Sequence, residues 1–269
     1  MVDKMMKYSF ILLTSEKEGF LEKIQELGVV DITRSEKPVD HDSSIMLEGA
    51  SRAKKVLDIL EGINYSEDAD AEAIAAVTIE IREDILGYVE TTVEKLKNLK
   101  AAHETSQKQM AAVLPWGKYD KKALDSIAEL GYTIRYYCMP SKSFDPAWAE
   151  LYPLQVVEED GKNTWFVTIA PKDEAYTFPA NEIAAPSCTH AEAAEEAKQI
   201  KQAIIECKAG LLNAKDYIPA IKEAYNSNLV TLDRYLADAA GEGAAEDHIT
   251  LFTGFAPVEE DARISCDLF

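Results

Sequence analysis

Cysteine is scarce and scattered in this sequence. Cys138, Cys188, Cys207 and Cys266 form no Cys-x-x-Cys pair and have no histidine at ligand spacing. A disulfide framework or a structural zinc site is therefore not expected. Long apolar runs are missing too. No stretch of about 18–20 apolar residues occurs, so no membrane-spanning helix is expected, and residues 1–7 lack the apolar core of a secretory signal. Basic residues are few: 28 Lys and Arg stand against 48 Asp and Glu, for a formal charge of −20. That balance excludes a nucleic-acid binder, which must neutralise phosphates, and a basic patch for an anionic membrane surface. A reduced, water-soluble, cytosol-facing chain with an acidic, solvated exterior is expected.

Catalytic signatures are equally absent. There is no GxGxxG, no GxxxxGK[ST], no GxSxG and no HExxH. The four histidines, His41, His103, His190 and His248, fall on a loop, a helical seam, a helix start and a strand entry. Each reads as a surface or core-edge residue rather than a ligand. The acidic group Glu67, Asp68, Asp70 and Glu72 suits the start of a helix better than a cation site.

Periodicity is what the chain does have. Over residues 70–114, apolar positions step by three and four through Ile74, Val77, Ile81, Ile85, Tyr88, Thr92, Leu96, Leu99, His103, Ser106, Met110 and Val113. Over residues 190–240 they run through Ala193, Ala197, Ile200, Ile204, Cys207, Leu211, Ala214, Ile218, Ile221, Tyr225, Leu229, Leu232 and Leu236. Such sustained near-heptad spacing predicts two long helices, each about 60–75 Å, that pair along a seam. Thr92, His103 and Ser106, facing small residues such as Ala193 and Ala197, predict a soft seam. Pro115-Trp116-Gly117 ends the first helix, and Pro219 predicts a kink or a break in the second.

The segments around these helices alternate strand and helix. Residues 7–13 read as a strand, 15–27 as a helix with Ser15 and Glu18 at capping-box spacing, Gly28 as its C-terminal cap, and 29–33 as a second strand. Residues 43–63 form a helix with Ile45, Val56, Ile59, Leu60 and Ile63 inward. Between the long helices, 121–130 is a helix capped by Gly131, and 132–139 is a strand. Asp160-Gly161 joins strands 154–159 and 164–170 in a hairpin, and 171–186 is irregular. Thr189 and Glu192 cap the returning helix; 249–254 is a last strand and 258–269 opens a helix. Trp116 is expected to pack the joint between helix and insert, Trp148 sits in a loop or short helix, and Trp165 is expected in a core.

An antiparallel return brings the two ends of the chain together, where their strands can share one sheet. The fold class is therefore α+β: two small α/β lobes joined by a long antiparallel helical hairpin, a coiled-coil-like rod. The expected parts are a proximal lobe from 1–69 and 241–269, an outgoing helix over 70–117, a distal lobe over 118–188 and a returning helix over 189–240. The helix begun near Phe269 leads to the expectation of a further half beyond it.

Three stretches carry a family likeness: 8–13 with Glu26-Leu27-Gly28-Val29-Val30-Asp31-Ile32, then Pro115-Trp116-Gly117, then Gly254-Phe255-Ala256-Pro257. In order and spacing the chain resembles, over nearly its whole length, the N-terminal cytoplasmic half of subunit I (subunit a) of V-type and A-type rotary ATPases. Family sequences read close to ELGVVHI, PWG and GWVP; here Asp31 replaces the histidine and Phe255-Ala256 replace Trp-Val. The resemblance implies a non-catalytic stator arm on the cytoplasmic face of a bacterial or archaeal membrane. It implies peripheral-stalk subunits E and G and the central-stalk socket as partners. It also implies contact with the rotor ring, and proton or sodium transport, through a membrane half outside this sequence. No catalytic residue, cofactor, metal, nucleic acid or small-molecule substrate is implied, and no partner-binding residue is carried over. The alternatives are a stand-alone coiled-coil adaptor that dimerises through its rods, and a small-molecule-sensing regulatory domain. For the latter, Thr14-Ser15-Glu16-Lys17 supplies no glycine-lined ligand loop.

Overall fold

The computed structural model describes residues 4–35, 37–82, 84–172, 178–246 and 248–268. Phe269 and part of the stretch expected to be irregular, residues 173–177, lie outside the described residues. In chain order the elements are β1 (Met5–Leu13), α1 (Lys17–Leu27), β2 (Asp31–Ile32), α2 (His41–Gly62), α3 (Ala71–Ala76), α4 (Ile85–Val113) and α5 (Lys121–Glu129). There follow β3 (Tyr132–Pro140), α6 (Trp148–Leu151), β4 (Leu154–Glu159), β5 (Asn163–Pro171), β6 (Glu182–Ile183) and α7 (His190–Asn213). The last are α8 (Ile218–Ala239), β7 (Glu242–Ala244), β8 (Ile249–Pro257) and α9 (Asp261–Leu268). The chain is thus mixed helix and sheet, and divides into two units.

The first unit comprises Met1–Asn64, Ile81–Glu90 and Leu211–Phe269. Its sheet has the order β1-β8-β2, with β7 also on β8, and every pairing is antiparallel. The first and last strands of the chain therefore share a sheet, paired without a bulge from Met5 opposite Pro257 to Leu13 opposite Ile249. Strand alternation turns Phe10, Phe252 and Ala256 to one face, where Leu21 and Ile24 of α1, Ala237 of α8 and Ile264 of α9 cover them. Tyr8, Phe10, Phe20 and Phe252 stack in sequence, with centroids 5.1–5.9 Å apart. Gly28 ends α1 at φ 67°, its N–H bonded to the Ile24 carbonyl, as the αL cap requires. Gly254 lets β2 approach: a Cβ there would stand 2.9 Å from the Asp31 carbonyl oxygen.

Helices α2 and α8 run antiparallel in this unit. Lys222 pairs with Glu61 near one end, and Tyr235 donates to Asp40 near the other. Asp40 is the N-cap of α2 in a reciprocal capping box with Ser43, so the helix starts two residues before the expected boundary. That start phases Ala50, Ala53, Val56, Leu57 and Leu60 inward and leaves Ile45 54% exposed, against the expectation for Ile45. Asp84 accepts from the N–H groups of Leu86 and Gly87 at the start of α4, and Arg52 bridges Asp84 and Glu90.

The second unit comprises Tyr65–Glu80 and Thr91–Gly210. Its antiparallel sheet has the order β4-β5-β3-β6. The hairpin between β4 and β5 turns at Asp160-Gly161: Asp160 Oδ1 accepts from the N–H groups of Lys162 and Asn163, and Gly161 takes φ 78°. One sheet face carries an aromatic core in which Phe178 meets Tyr137, Trp148, Tyr152 and Phe166. On the other, Trp116 packs edge-on against Tyr136. Trp165 is only half-buried; its neighbour Phe166 takes the core position expected of it.

Both long helical stretches are interrupted, the first where a continuous helix was expected and the second near Pro219, where a kink or a break was expected. Residues 77–82 are not helical, and α4 begins only at Ile85. The run Val77, Thr78, Ile79 and Ile81 is β-branched, which weakens helix, and the Asp84 cap restarts it. The returning stretch divides into α7 and α8 around a 3-10 turn, Ala214–Tyr217. Pro219 sits in the first turn of α8, where its missing N–H costs nothing.

Candidate functional site

The acidic group expected at a helix start is engaged by lysines of α7. Lys201 Nζ lies 2.8 Å from Asp70 Oδ1 and Lys208 Nζ lies 2.5 Å from Asp68 Oδ2. Asp68 also accepts from the Asp70 N–H. The Lys208 hydrogen bond is the main cause holding the Asp68 carboxyl below its usual range. Protein ammonium groups thus occupy the positions a cation would take. Among the described residues, no group of three His, Cys, Asp or Glu side chains is placed to hold a metal ion.

The four histidines lie apart: His41 opens α2, His103 is half-buried on α4, His190 opens α7 and His248 is exposed before β8. The cysteines are all free thiols, and burial pushes Cys138 and Cys207 upward, towards the protonated and unreactive form. Among the described residues, no helix is long and apolar enough to cross a membrane.

Burial on the two helices follows the expected seam only in part: Val89 of α4 is fully buried, where Tyr88 was the expected position. On α4, Thr92, Leu96, Ser106 and Val113 are buried and Leu99, His103 and Met110 half-buried, while almost every other residue between them is exposed. On α7, Ala193, Cys207 and Leu211 are buried and Ala197, Ile200 and Ile204 half-buried, but Ile205 and Ala209, outside the expected seam, are buried too. Lys95 of α4 acts electrostatically on Cys207, and Gln109 of α4 donates to Ser187 Oγ at 3.2 Å and Cys188 Sγ at 3.1 Å. Tyr119 closes the same corner through the Cys188 carbonyl at 3.0 Å. Ser106 Oγ is buried with no hydrogen-bond partner.

The first unit holds two surfaces suited to binding. A cleft of about 580 Å³ opens between α2, α8 and β2, with Leu47, Leu229, Leu232 and Phe255 as apolar walls. At its rim Arg34 bridges Asp31 at 2.8 Å and Asp233 at 3.1 Å, so the guanidinium is neutralised rather than offered to an anion. The other is the sheet face opposite α1 and α9, where Met5, Ile11, Leu13 and Phe255 are exposed. Sequence reasoning missed both. The cleft joins residues about 200 positions apart in the chain, and the exposed face uses the same alternation that marks the core.

The second unit has a cleft of about 430 Å³ between α5 and β3, lined by Tyr119, Leu124, Tyr132 and Tyr136, with Lys121 and Lys172 at its edge. Lys121 is held by Glu192 at 2.6 Å. These surfaces offer shape, apolar area and paired charge; none sets a nucleophile beside a general base. No protein-family model and no curated protein sequence matches this chain.

Proposed function

We propose that this chain is a non-catalytic stator arm, the cytoplasmic half of the subunit I (subunit a) of a V-type or A-type rotary ATPase. On this reading α4 and α7 form the body of an antiparallel hairpin between two α/β lobes. The arm links a membrane half to peripheral-stalk subunits E and G and approaches the central-stalk socket. It supports proton or sodium transport without touching the ion.

What supports the reading is that Thr92, Leu96, Ser106 and Val113 of α4 and Ala193, Cys207 and Leu211 of α7 are buried, and that Gln109 near the end of α4 donates to Cys188 just before α7. That contact joins the end of one helix to the start of the other, as an antiparallel return would. A seam containing Thr92, Ser106 and Ala193 buries less apolar area than a Leu/Ile zipper, in which each side chain contributes about 1.5–3 kcal/mol. A rod of that kind is specific in register yet can bend, which suits a part that holds elastic strain between rotary steps.

The test is co-purification with the E–G heterodimer of a bacterial V/A-type ATPase, together with the reading frame beyond Phe269. Stable co-elution and several apolar spans of about 20 residues in that frame are expected. No binding and no such spans would sink the assignment.

A further inference from the structure

Strand β1 ends its sheet: the order runs β1-β8-β2, and among the described residues only β8 pairs with it. The flanking hydrogen bonds Thr14 N–H to His248 and Val258 N–H to Lys4 fix which residues of β1 bond inward. In the unbroken register they make the even residues the ones bonded to β8. The N–H and C=O groups of Met5, Lys7, Ser9, Ile11 and Leu13 therefore point away from the sheet, along a free edge. The side chains of these same five residues are all exposed, with Met5 at 52%, Ile11 at 69% and Leu13 at 54%.

Protein sheets protect such edges with proline, bulges, short strands or charged side chains, lysine above all. β1 has nine residues, no proline, no bulge and a single charged residue, Lys7. It is also free of acid in a chain whose net charge is −20. Two copies with that net charge repel one another, and β1 adds no acid of its own to that repulsion.

We propose that β1 is a self-pairing edge, through which two copies of this chain join antiparallel about a two-fold axis at Ser9. In that register Met5 faces Leu13 of the second copy, Lys7 faces Ile11, and Ser9 faces Ser9. Every outward N–H then meets an outward C=O. The five residues of each copy form about ten main-chain hydrogen bonds, as many as a standard protein interface contains. Two four-stranded sheets become one of eight. The exposed Met5, Ile11 and Leu13 side chains lie on one face of the joined sheet and cover each other across the seam. The buried area is small, so association in the micromolar range, about 10 µM, is expected. This inference stands independently of the stator reading, and it differs from dimerisation through the long helices because it uses no seam residue.

The test is light scattering after size exclusion from about 2 to about 200 µM, with amide exchange followed residue by residue. The mass should rise from 29.8 kDa towards twice that value. The Lys7, Ser9 and Ile11 amides should gain at least about tenfold protection as it does, with the even residues of β1 unchanged. Ser9→Pro removes only an outward N–H and should shift the midpoint at least about tenfold with far-UV circular dichroism intact. Ile11→Lys should do the same by adding like charge beside Lys7. With Cys266 replaced by serine, Ser9→Cys should form a disulfide-linked dimer under mild oxidation, since facing residues in such a pair stand about 5.5 Å apart. A mass fixed at 29.8 kDa throughout, or association that leaves the odd-residue amides unprotected, overturns the proposal.

Discussion

Lys208 reaches Asp68 with Nζ 2.5 Å from Oδ2, and the two side chains are only 11% and 21% exposed. The same ammonium lies 5.7 Å from the centre of the Tyr65 ring. A pair so far removed from solvent is costly to break from one side, because the remaining charge stays desolvated. Lys208→Met should destabilise the second unit by about 1–3 kcal/mol, and Asp68→Asn by less, measured by urea unfolding. The Asp68 carboxyl is held below its ordinary value of 3.8, chiefly by the Lys208 hydrogen bond. Its contribution is therefore complete above that value and fades as pH falls through the lower folded value. Lys208→Met should flatten that acid limb; an unchanged limb would remove the pair from the account.

Asp40 and Tyr235 form a second pair, at the start of α2. Asp40 is lowered to about 2, first by the Ser43 side chain and then by the Tyr235 hydroxyl, while the hydrogen bond to Asp40 raises Tyr235 to about 12. For Asp40 the contribution is present above its ordinary value of 3.8 and lost as pH falls through about 2. For Tyr235 it is present below its ordinary value of 10.0 and lost as pH rises through about 12. In Asp40→Ala the Tyr235 midpoint, read by ring-carbon NMR, should drop towards 10.0, and the amides at the start of α2 should exchange faster. A Tyr235 midpoint that stays near 12 would show that Asp40 is not its cause.

Gly254 is a position where space alone forbids a side chain. An alanine Cβ would stand 2.9 Å from the Asp31 carbonyl oxygen and 3.2 Å from Val30 Cγ1, so β2 must withdraw from β8. Gly254→Ala should cost about 1–3 kcal/mol in the first unit, read as a lower urea midpoint with an unchanged slope.

Ser106 buries a hydroxyl that makes no hydrogen bond. Removing an unsatisfied buried polar atom returns its desolvation cost, so Ser106→Ala should leave stability unchanged or raise it by about 1 kcal/mol. Clear destabilisation in thermal unfolding would mean that the hydroxyl has a partner in solution.

Pro219 follows the 3-10 turn Ala214–Tyr217. Replacing it by alanine restores an N–H and removes the ring, so the turn can revert to α-helix. Amide protection over residues 215–221 should rise in Pro219→Ala; unchanged exchange would remove the proline as the cause of the 3-10 turn.

The inward side of α4 was legible in part, because each turn repeats the same test: Thr92, Leu96, Ser106 and Val113 are buried at the expected phase, whereas Val89, and Ile205 and Ala209 of α7, are buried outside it. Local chemistry was legible as well. Thr189 and Glu192 exchange the two capping-box hydrogen bonds, and Gly28 and Gly161 adopt positive φ. The capping box expected of Ser15 and Glu18 does not form, because Thr14–Glu16 is a 3-10 turn and α1 begins at Lys17 without a side-chain cap. Strands β6 and β7, two and three residues long, had no periodicity to read; they exist because a neighbouring strand pairs with them. The helix break at 77–82 was hidden by Ile74, Val77 and Ile81, which keep the helical spacing while their β-branched neighbours work against the helix. Of the candidate surfaces, neither the cleft beside Arg34 nor the outward edge of β1 has a local signature. Both depend on which residues distant in the chain come to lie beside them.

The place of β8 at the middle of its sheet sets an order on birth. During synthesis the ribosome delivers β1 well before β8, the strand it pairs with among the described residues, which follows more than 230 residues later. At about 5–20 residues per second, the apolar side of β1 waits roughly 12–50 s for cover. The second unit, whose strands are all neighbours in the chain, has finished its own sheet by then. A nascent polypeptide of this kind offers chaperones a long-lived sticky front end, and a truncation before residue 249 should leave that end permanently in their hands.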